Sequence, residues 1–588
     1  MAPGPVDPAS SAPLALSGRV VTMDDHATVH DSAVLYAREG AIVDILPPSA
    51  PPPPGFEDVP VTPTRGTMYP GLIELHNHLP YDVLGLWPVP KRYDDRDQWS
   101  HVAAYKKQIS GPMRVLGSDP DLVAAIVRYV EVRALLGGTT TSQGIALAKS
   151  NGIIGHFRGL VRNVESTGEA TLPPAGTHIP DIVAVDAEKF LARISGRKKW
   201  ILHLSEGADT HAHDAFEALH LGDGRWAITP NLIGIHCVAL TAGDFETFAG
   251  HGGSMVWSPL SNLLLYGRTA DIGAAMAAKV PIALGSDWAP SGSKNLLGEI
   301  KVARIVADVA GVAVTDHDLV AMATRTPASM LGWGERLGTL EKSKLADLIV
   351  LGGATGDPYA RLLAATEADL RLVVINGIPR MATPALMTSL APGAVTEPVS
   401  VAGRRRALNL AQDTADPTVE AVSVAEAISR LEEGLASLTE PAAHTAALRR
   451  AGGTGLAGVT SGTPTTVHVD LAQRAAITAA NAFREGRSLL AAAQLVDNHE
   501  SPRPHLPLRG RLTGPNLDHL ELPTSRRSAL GARRAPVATL QPAPIDPSPA
   551  LALDPLTAVD NPQYYSTQLA TNTNLPAEVR SRLVALAP

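Results

Sequence analysis

One cysteine, Cys237, is present among 588 residues. A lone thiol excludes any intrachain disulfide and any zinc site built from several thiolates, and makes a reducing compartment the default. No excess of charge of one sign is present either. Fifty Lys and Arg stand against 58 Asp and Glu, a net charge of −8, so there is no electrostatic footprint for nucleic acid. No stretch approaches the roughly 18–20 uncharged apolar residues that span a bilayer. Met1–Ser17 carries no Lys or Arg and lacks the basic region and apolar run of a secretory signal. The expectation is a cytoplasmic protein with neither a nucleic-acid nor a membrane partner. Hydrophobic residues at 45% against 18% charged support a large core.

The organisation follows from periodicity and punctuation. Residues 1–14 read as a tail. Ala15–Met23, Ala33–Leu46 and Val59–Tyr69 read as strands, with the proline run Pro47–Pro54 as a loop between them. From Pro70 the text changes. Strand-like Gly71–Leu75, Thr139–Ile145, Trp200–Leu204, Asn231–His236, Met255–Pro259 and Pro281–Gly285 alternate with helical segments such as Asp121–Leu136 and Lys294–Val309. Thr241 and Asp244 stand in capping-box spacing at the start of a short helix. Alternation from residue 70 to 338 predicts a parallel (β/α)8 barrel, whose usual size is about 250 residues. Leu345–Leu351 and Leu370–Ile378 return to strand text. Residues 339–390 are expected to join residues 15–69 in one small β domain. Residues 391–588 shift to Ala, Thr, Pro and Arg. They read as an extension, helical at Val419–Leu438 and Val469–Leu495 and poorly ordered or extended over 500–560.

Candidate chemistry sits at strand ends. His76 and His78 are two apart on one strand, so their side chains share a face. His203, His236 and Asp287 close or follow three later strands. In a (β/α) barrel the active site gathers at the C-terminal strand ends, which would bring these five residues together. Imidazoles and a carboxylate around an open position suit catalytic Zn²⁺ or Fe²⁺.

At this point the sequence resembles the amidohydrolase superfamily. The resemblance is carried by Pro70-Gly71-Leu72-Ile73-Glu74-Leu75-His76-Asn77-His78, by His203-Leu204-Ser205-Glu206, by Gly234-Ile235-His236-Cys237-Val238 and by Leu284-Gly285-Ser286-Asp287. Ala323–Leu331 and Gly338–Leu351 look like that family's exit from barrel to β domain. The branch most similar holds cytosine and guanine deaminases and triazine hydrolases. The resemblance implies an α/β fold, a TIM-type barrel with a small β-sandwich built from both flanks. It implies that His76, His78, His203 and Asp287 hold one divalent metal, Zn²⁺ or Fe²⁺, with His236 as a further ligand or proton shuttle. Glu206 and Asp287 would move protons. The implied activity is hydrolysis of a non-peptide carbon–nitrogen bond in a small cyclic or heterocyclic substrate, by deamination or by amide or ring opening. Relatives are often homo-oligomers. A two-metal version would need a bridging residue such as a modified lysine; Lys189, Lys198 and Lys199 read as helix and turn, which favours one metal.

Two departures bear on the substrate. Deaminating relatives often carry His-Cys-Pro-x-Ser-Asn where this chain has Trp257-Ser258-Pro259-Leu260-Ser261-Asn262. After Asp287 comes Trp288-Ala289-Pro290 rather than glycine and an Asn-rich loop. Trp257 and Trp288 could stack on a flat ring or pack in the core, and Gln143 could face the cavity. His211 and His213 read as a solvated helix start. Cys237 reads as core, and Arg404–Arg406 and Arg526–Arg534 read as solvated tail charges. Two rivals stand beside the hydrolase: a non-catalytic scaffold on the same fold, and a hydrolytic dechlorinase.

Overall fold

In a computed structural model, residues 12–147, 152–412, 416–438 and 551–587 are described. The expected helix at Val469–Leu495, the Arg526–Arg534 cluster and nearly all of the 500–560 stretch lie outside them. Eight parallel strands run in chain order as two arcs. The first holds Leu72–Glu74, Thr139–Ser142 and Arg162–Asn163. The second holds Gly176–His178, Trp200–Leu204, Leu232–His236, Ser254–Trp257 and Ile282–Leu284. Ladder pairing does not close them into one ring. Short backbone contacts join their ends: Ala175 N–H donates to Val164 C=O at 3.0 Å, while Asp287 N–H donates to His76 C=O at 2.9 Å and His78 N–H to Asp287 C=O at 2.8 Å. The arcs' inner apolar side chains, among them Ile73, Leu75, Ile201, Ile233, Ile235, Val256 and Ala283, form one buried cluster. Helices cover the outside. Pro120–Leu136 has Asp119 as its N-cap and proline at its first turn, and most of its residues are buried. The helix Ala242–Gly250 opens with the capping box foreseen from Thr241 and Asp244.

The flanking strands form a single nine-stranded mixed sheet. Leu14–Val21 and Val61–Pro70 pair in parallel, and Leu348–Gly352 joins the latter antiparallel. The ladder is continuous across all nine strands, which come from both flanks and form one sheet rather than a sandwich of two. It also runs past residue 390. Glu397–Val401 pairs with Arg404–Leu408, and the latter pairs with Ile378–Ala382. Arg404–Arg406 therefore lies on a strand, with Arg404 and Arg405 exposed as expected. Arg406 is buried, and its guanidinium donates to the carbonyls of Leu370 and Ala368.

Residues 551–587 pack into this same body. Asp554 is buried and accepts from Arg133, at 2.7 Å, and from Lys294. The hydroxyl of Tyr564 donates to Gly292 C=O, and Asn574 Nδ2 donates to Leu264 C=O. The extreme C-terminal segment thus buttresses the loop after Asp287 and the helix Pro259–Tyr266. Composition gave no sign of this, because the anchoring depends on one aspartate meeting two buried cations. Removing one partner of a buried pair strands the others. Asp554→Ala is expected to lower unfolding free energy by about 3–5 kcal/mol, read by urea denaturation. A loss within a few tenths would show that the segment does not anchor the barrel.

Candidate metal centre

The strand ends converge. Among the described residues, one nitrogen from each of His76, His203 and His236 lies within 4.8 Å of the others. The same holds for His76, His78 and Asp287, so the two groups share His76. His76 Nε2 is 3.2 Å and His78 Nε2 3.5 Å from Asp287 Oδ1. The imidazole centroids of His76 and His236 are 4.7 Å apart. All five residues expected to hold a metal therefore face one another.

Local backbone explains how. Gly285 lies against His76, where a Cβ would come within 2.4 Å of that residue's own Cβ, so only glycine lets the last strand approach the first. Gly144 has φ +96°, and its absent Cβ would overlap Asn77 C=O. Ser205, His236 and Asp287 have φ of +52°, +69° and +66°. Left-handed conformations at non-glycine residues cost energy and cluster at functional sites. Here they turn the chain sharply at three strand ends.

Two of the imidazoles are oriented from behind. His76 Nδ1 is 2.7 Å from Ser258 Oγ. His236 Nδ1 is 2.8 Å from Asn262 Oδ1. The amide of Asn262 is itself fixed, because its Nδ2 donates to Thr269 Oγ1. Oδ1 must then accept, so His236 carries its proton on Nδ1 and presents a lone pair on Nε2. Ser261 Oγ donates to Asp287 Oδ2, leaving Oδ1 toward the imidazoles. Buttressing of this kind fixes tautomer and orientation at metal sites.

The residues fit a divalent metal. His76 Nε2 and His203 Nδ1 are buried without a hydrogen-bond partner, and such orphans are costly unless something takes their lone pairs. Burial pushes His76 down to about 4, lowers His78 and lowers His203 further. Burial raises Asp287, but His76 and His78 outweigh it and hold the carboxyl well below its usual range. Neutral imidazoles and an ionised carboxylate are the protonation states that ligation needs.

Glu206 joins the group. Its Oε2 is 3.5 Å from His236 Nε2 and 3.7 Å from Arg96 Nη1, and its Oε1 accepts from Tyr266 Oη at 2.7 Å. The other expected residues are placed differently. Trp288 is buried beside the group, with ring centroids 5.6 Å from His78 and 5.2 Å from Tyr81. Trp257 is fully buried, and its indole donates to Thr269 Oγ1, two bonds behind His236. Gln143 is committed at both ends: its Oε1 accepts from Asn77 N–H, and its Nε2 donates to Glu165. Cys237 is buried, burial raises its thiol, and its Sγ points to Gly234 C=O. Lys189 pairs with Asp186, Lys198 lies over the Trp200 ring, and Lys199 donates to Pro230 C=O. Lys198 thus engages the start of the strand that carries His203, and Lys199 the loop before the strand that ends in His236. His213 Nε2 pairs with Asp244 Oδ2 at 2.8 Å rather than joining the centre.

Arg96, Trp99, Tyr266 and Glu165 belong to the site's surroundings and carry no motif. Ser261 and Asn262 lay inside a quoted motif, but their partners did not show.

Residues 192–380 match the Amidohydrolase family. The chain is 30% identical over 183 residues to an S-triazine hydrolase of Gordonia rubripertincta, covering 29% of this chain and 38% of the hydrolase. It is 26% identical over 355 residues to a 5-methylthioadenosine/S-adenosylhomocysteine deaminase of Moorella thermoacetica, covering 52% of this chain and 80% of the deaminase. An adenosine deaminase from Xanthomonas campestris with bound zinc superposes at a TM-score of 0.49 and 21% identity, covering 64% of this chain and 93% of that one. The match thus spans under two fifths of the triazine hydrolase.

A pH dependence follows from the buried imidazoles. Their folded pKa values lie below the free value near 6.5. The unfolded chain therefore binds more protons between about pH 6.5 and 4, and stability is lost as pH falls through that window. Chelator-stripped protein should show a lower unfolding midpoint at pH 5 than at pH 7.5, with the difference smaller in His203→Ala. An equal drop in both would place the effect elsewhere.

Proposed function

We propose that this chain, whose residues 192–380 match the Amidohydrolase family, is a metal-dependent hydrolase of a non-peptide carbon–nitrogen bond in a small cyclic or heterocyclic molecule. One observation carries the reading: four imidazoles and Asp287 converge, and the Oε2 of a second carboxylate, Glu206, stands 3.5 Å from His236 Nε2. His76, His78, His203 and Asp287 would hold one Zn²⁺ or Fe²⁺, with His236 beside it. When bound, such an ion supplies a nucleophilic water at neutral pH and polarises the bond under attack.

The chain's own residues do the rest. Asp287 Oδ1 is the base nearest the imidazoles, kept ionised by them, and takes up the first proton. Glu206 Oε2 carries a proton to the departing nitrogen, as a carboxylate placed between nucleophile and leaving group can. His236 keeps its Nδ1 proton on Asn262 and adjoins Glu206 through Nε2. Trp288 and Tyr81 set aromatic faces beside the group, which suits a planar ring. Trp257 supports His236 through Thr269 and Asn262. Gln143 braces the turn between His76 and His78. The two arcs are read as halves of one (β/α)8 barrel over 70–338, flanked by a β domain from 15–69 and 339–390 whose sheet also takes in Glu397–Val401 and Arg404–Leu408, with the remainder of 391–588 as an added extension. A small molecule is the partner this centre fits, and a homo-oligomer is the proposed assembly.

Deamination, ring opening and dechlorination call on the same groups, and product analysis separates them. Ammonia release marks the first, a mass gain of water alone the second, and chloride release the third. Glu206→Gln should lower kcat by about 10²- to 10⁴-fold and keep the metal. Asp287→Ala should lose both turnover and metal. Full activity in either variant would overturn the assignment.

A further inference from the structure

The two oxygens of Glu206 have different surroundings. Oε2 faces His236 and Arg96. Oε1 points the other way, to the Tyr266 hydroxyl. Behind Tyr266 stands Trp99, whose Nε1 is 2.8 Å from Tyr266 Oη. Donor and acceptor roles along this chain follow by elimination. An indole N–H can only donate, so Tyr266 Oη accepts from Trp99. The phenol's own hydrogen is then free to go to Glu206 Oε1. All three residues are buried, so no water competes along the chain.

The backbone is arranged to hold this contact. Tyr266 is the last residue of Pro259–Tyr266, the same helix that carries Ser261 against Asp287 and Asn262 against His236. Trp99 comes from Arg96–Ser100, which is docked on the Glu206 loop. Arg96 N–H donates to Glu206 C=O, Ala208 N–H donates to Asp94 C=O, and Asp95 bridges Gly207. Arg96 is braced by Asp181 and Ile179 C=O. One helix therefore touches Glu206, His236 and Asp287, and the loop that completes the chain is pinned to Glu206 itself.

We propose that Tyr266, backed by Trp99, is a positioning residue that locks the Glu206 carboxylate so that Oε2 alone exchanges protons with the site. A carboxylate flip would otherwise exchange the two oxygens and send a proton to the closed side. With Oε1 occupied by the phenol, an incoming proton sits on Oε2, facing His236. This assignment rests on the hydrolase reading above and adds to it a residue that carries no motif.

The test compares the wild-type, Tyr266→Phe, Trp99→Phe, Glu206→Gln and Glu206→Gln/Tyr266→Phe proteins, all loaded with metal. Tyr266→Phe should lower kcat about 10- to 100-fold, the scale of a misplaced reacting group, with KM within about twofold and metal content unchanged. Trp99→Phe should lower kcat less, again without moving KM. The double variant should be no slower than Glu206→Gln, since a residue acting through Glu206 has nothing left to position. A wild-type kcat in Tyr266→Phe, or losses that multiply in the double variant, would overturn the proposal while leaving the hydrolase reading intact. A wild-type protein inactive on every carbon–nitrogen substrate tried would defeat the hydrolase reading instead. The hydrogen-bond chain is read independently of turnover. With ¹⁵N-labelled tryptophan, the Trp99 indole resonance, assigned by its loss in Trp99→Phe, should shift in Tyr266→Phe and, by less, in Glu206→Gln. An unmoved resonance in both would overturn the chain.

Discussion

Four imidazoles and two carboxylates cannot be buried side by side unless their charges and lone pairs are settled, and the structure is organised around that demand. His76, His203, His236, Asp287 and Glu206 are nearly inaccessible to solvent. Burial disfavours the charged forms of His76, His78 and His203, and the imidazoles beside Asp287 shift it down against its own burial. Serines, an asparagine and a tyrosine take the outward-facing atoms: Ser258 for His76, Asn262 for His236, Ser261 for Asp287 and Tyr266 for Glu206. What remains pointing inward is a set of lone pairs suited to a cation.

That arrangement explains otherwise unrelated features. The helix Pro259–Tyr266 is buried at every position because its polar residues serve the site and its apolar ones the core. Gly285 sits where two strands must approach closely. Glu74, pushed up to about 7 by burial, accepts from the backbone and side chain of Ser286 and so holds the turn that presents Asp287. The segment 551–587 reaches the same region from the far end of the sequence, through Asp554, Tyr564 and Asn574. The centre is thus braced both by neighbouring strand-end residues and by a segment distant in sequence.

Much of this was legible in the sequence, for a physical reason. Residue type and strand periodicity singled out His76, His78, His203, His236 and Asp287, and the structure places them close to one another. The alternation of strand and helix, and the Thr241 cap, were equally readable. Partners that act through one hydrogen bond were not. Tyr266, Trp99 and Arg96 become meaningful only when a helix and a loop meet Glu206. Trp257 and Trp288 look alike in the sequence, each at a strand end. Only packing distinguishes the one turned to Thr269 from the one packed on His78. The strand Arg404–Leu408 read as solvated charge because its three arginines hide a buried member, and Asp554 lay in proline-rich text with no local pattern at all.

The central claim is that these lone pairs hold a metal. The measurement that reaches it most directly is the elemental content of the purified protein by plasma mass spectrometry. The account predicts about one zinc or iron per chain, lost from a His76→Ala/His203→Ala protein that still folds. A wild-type chain that carries no metal, and takes up none when zinc or iron is supplied, would contradict it.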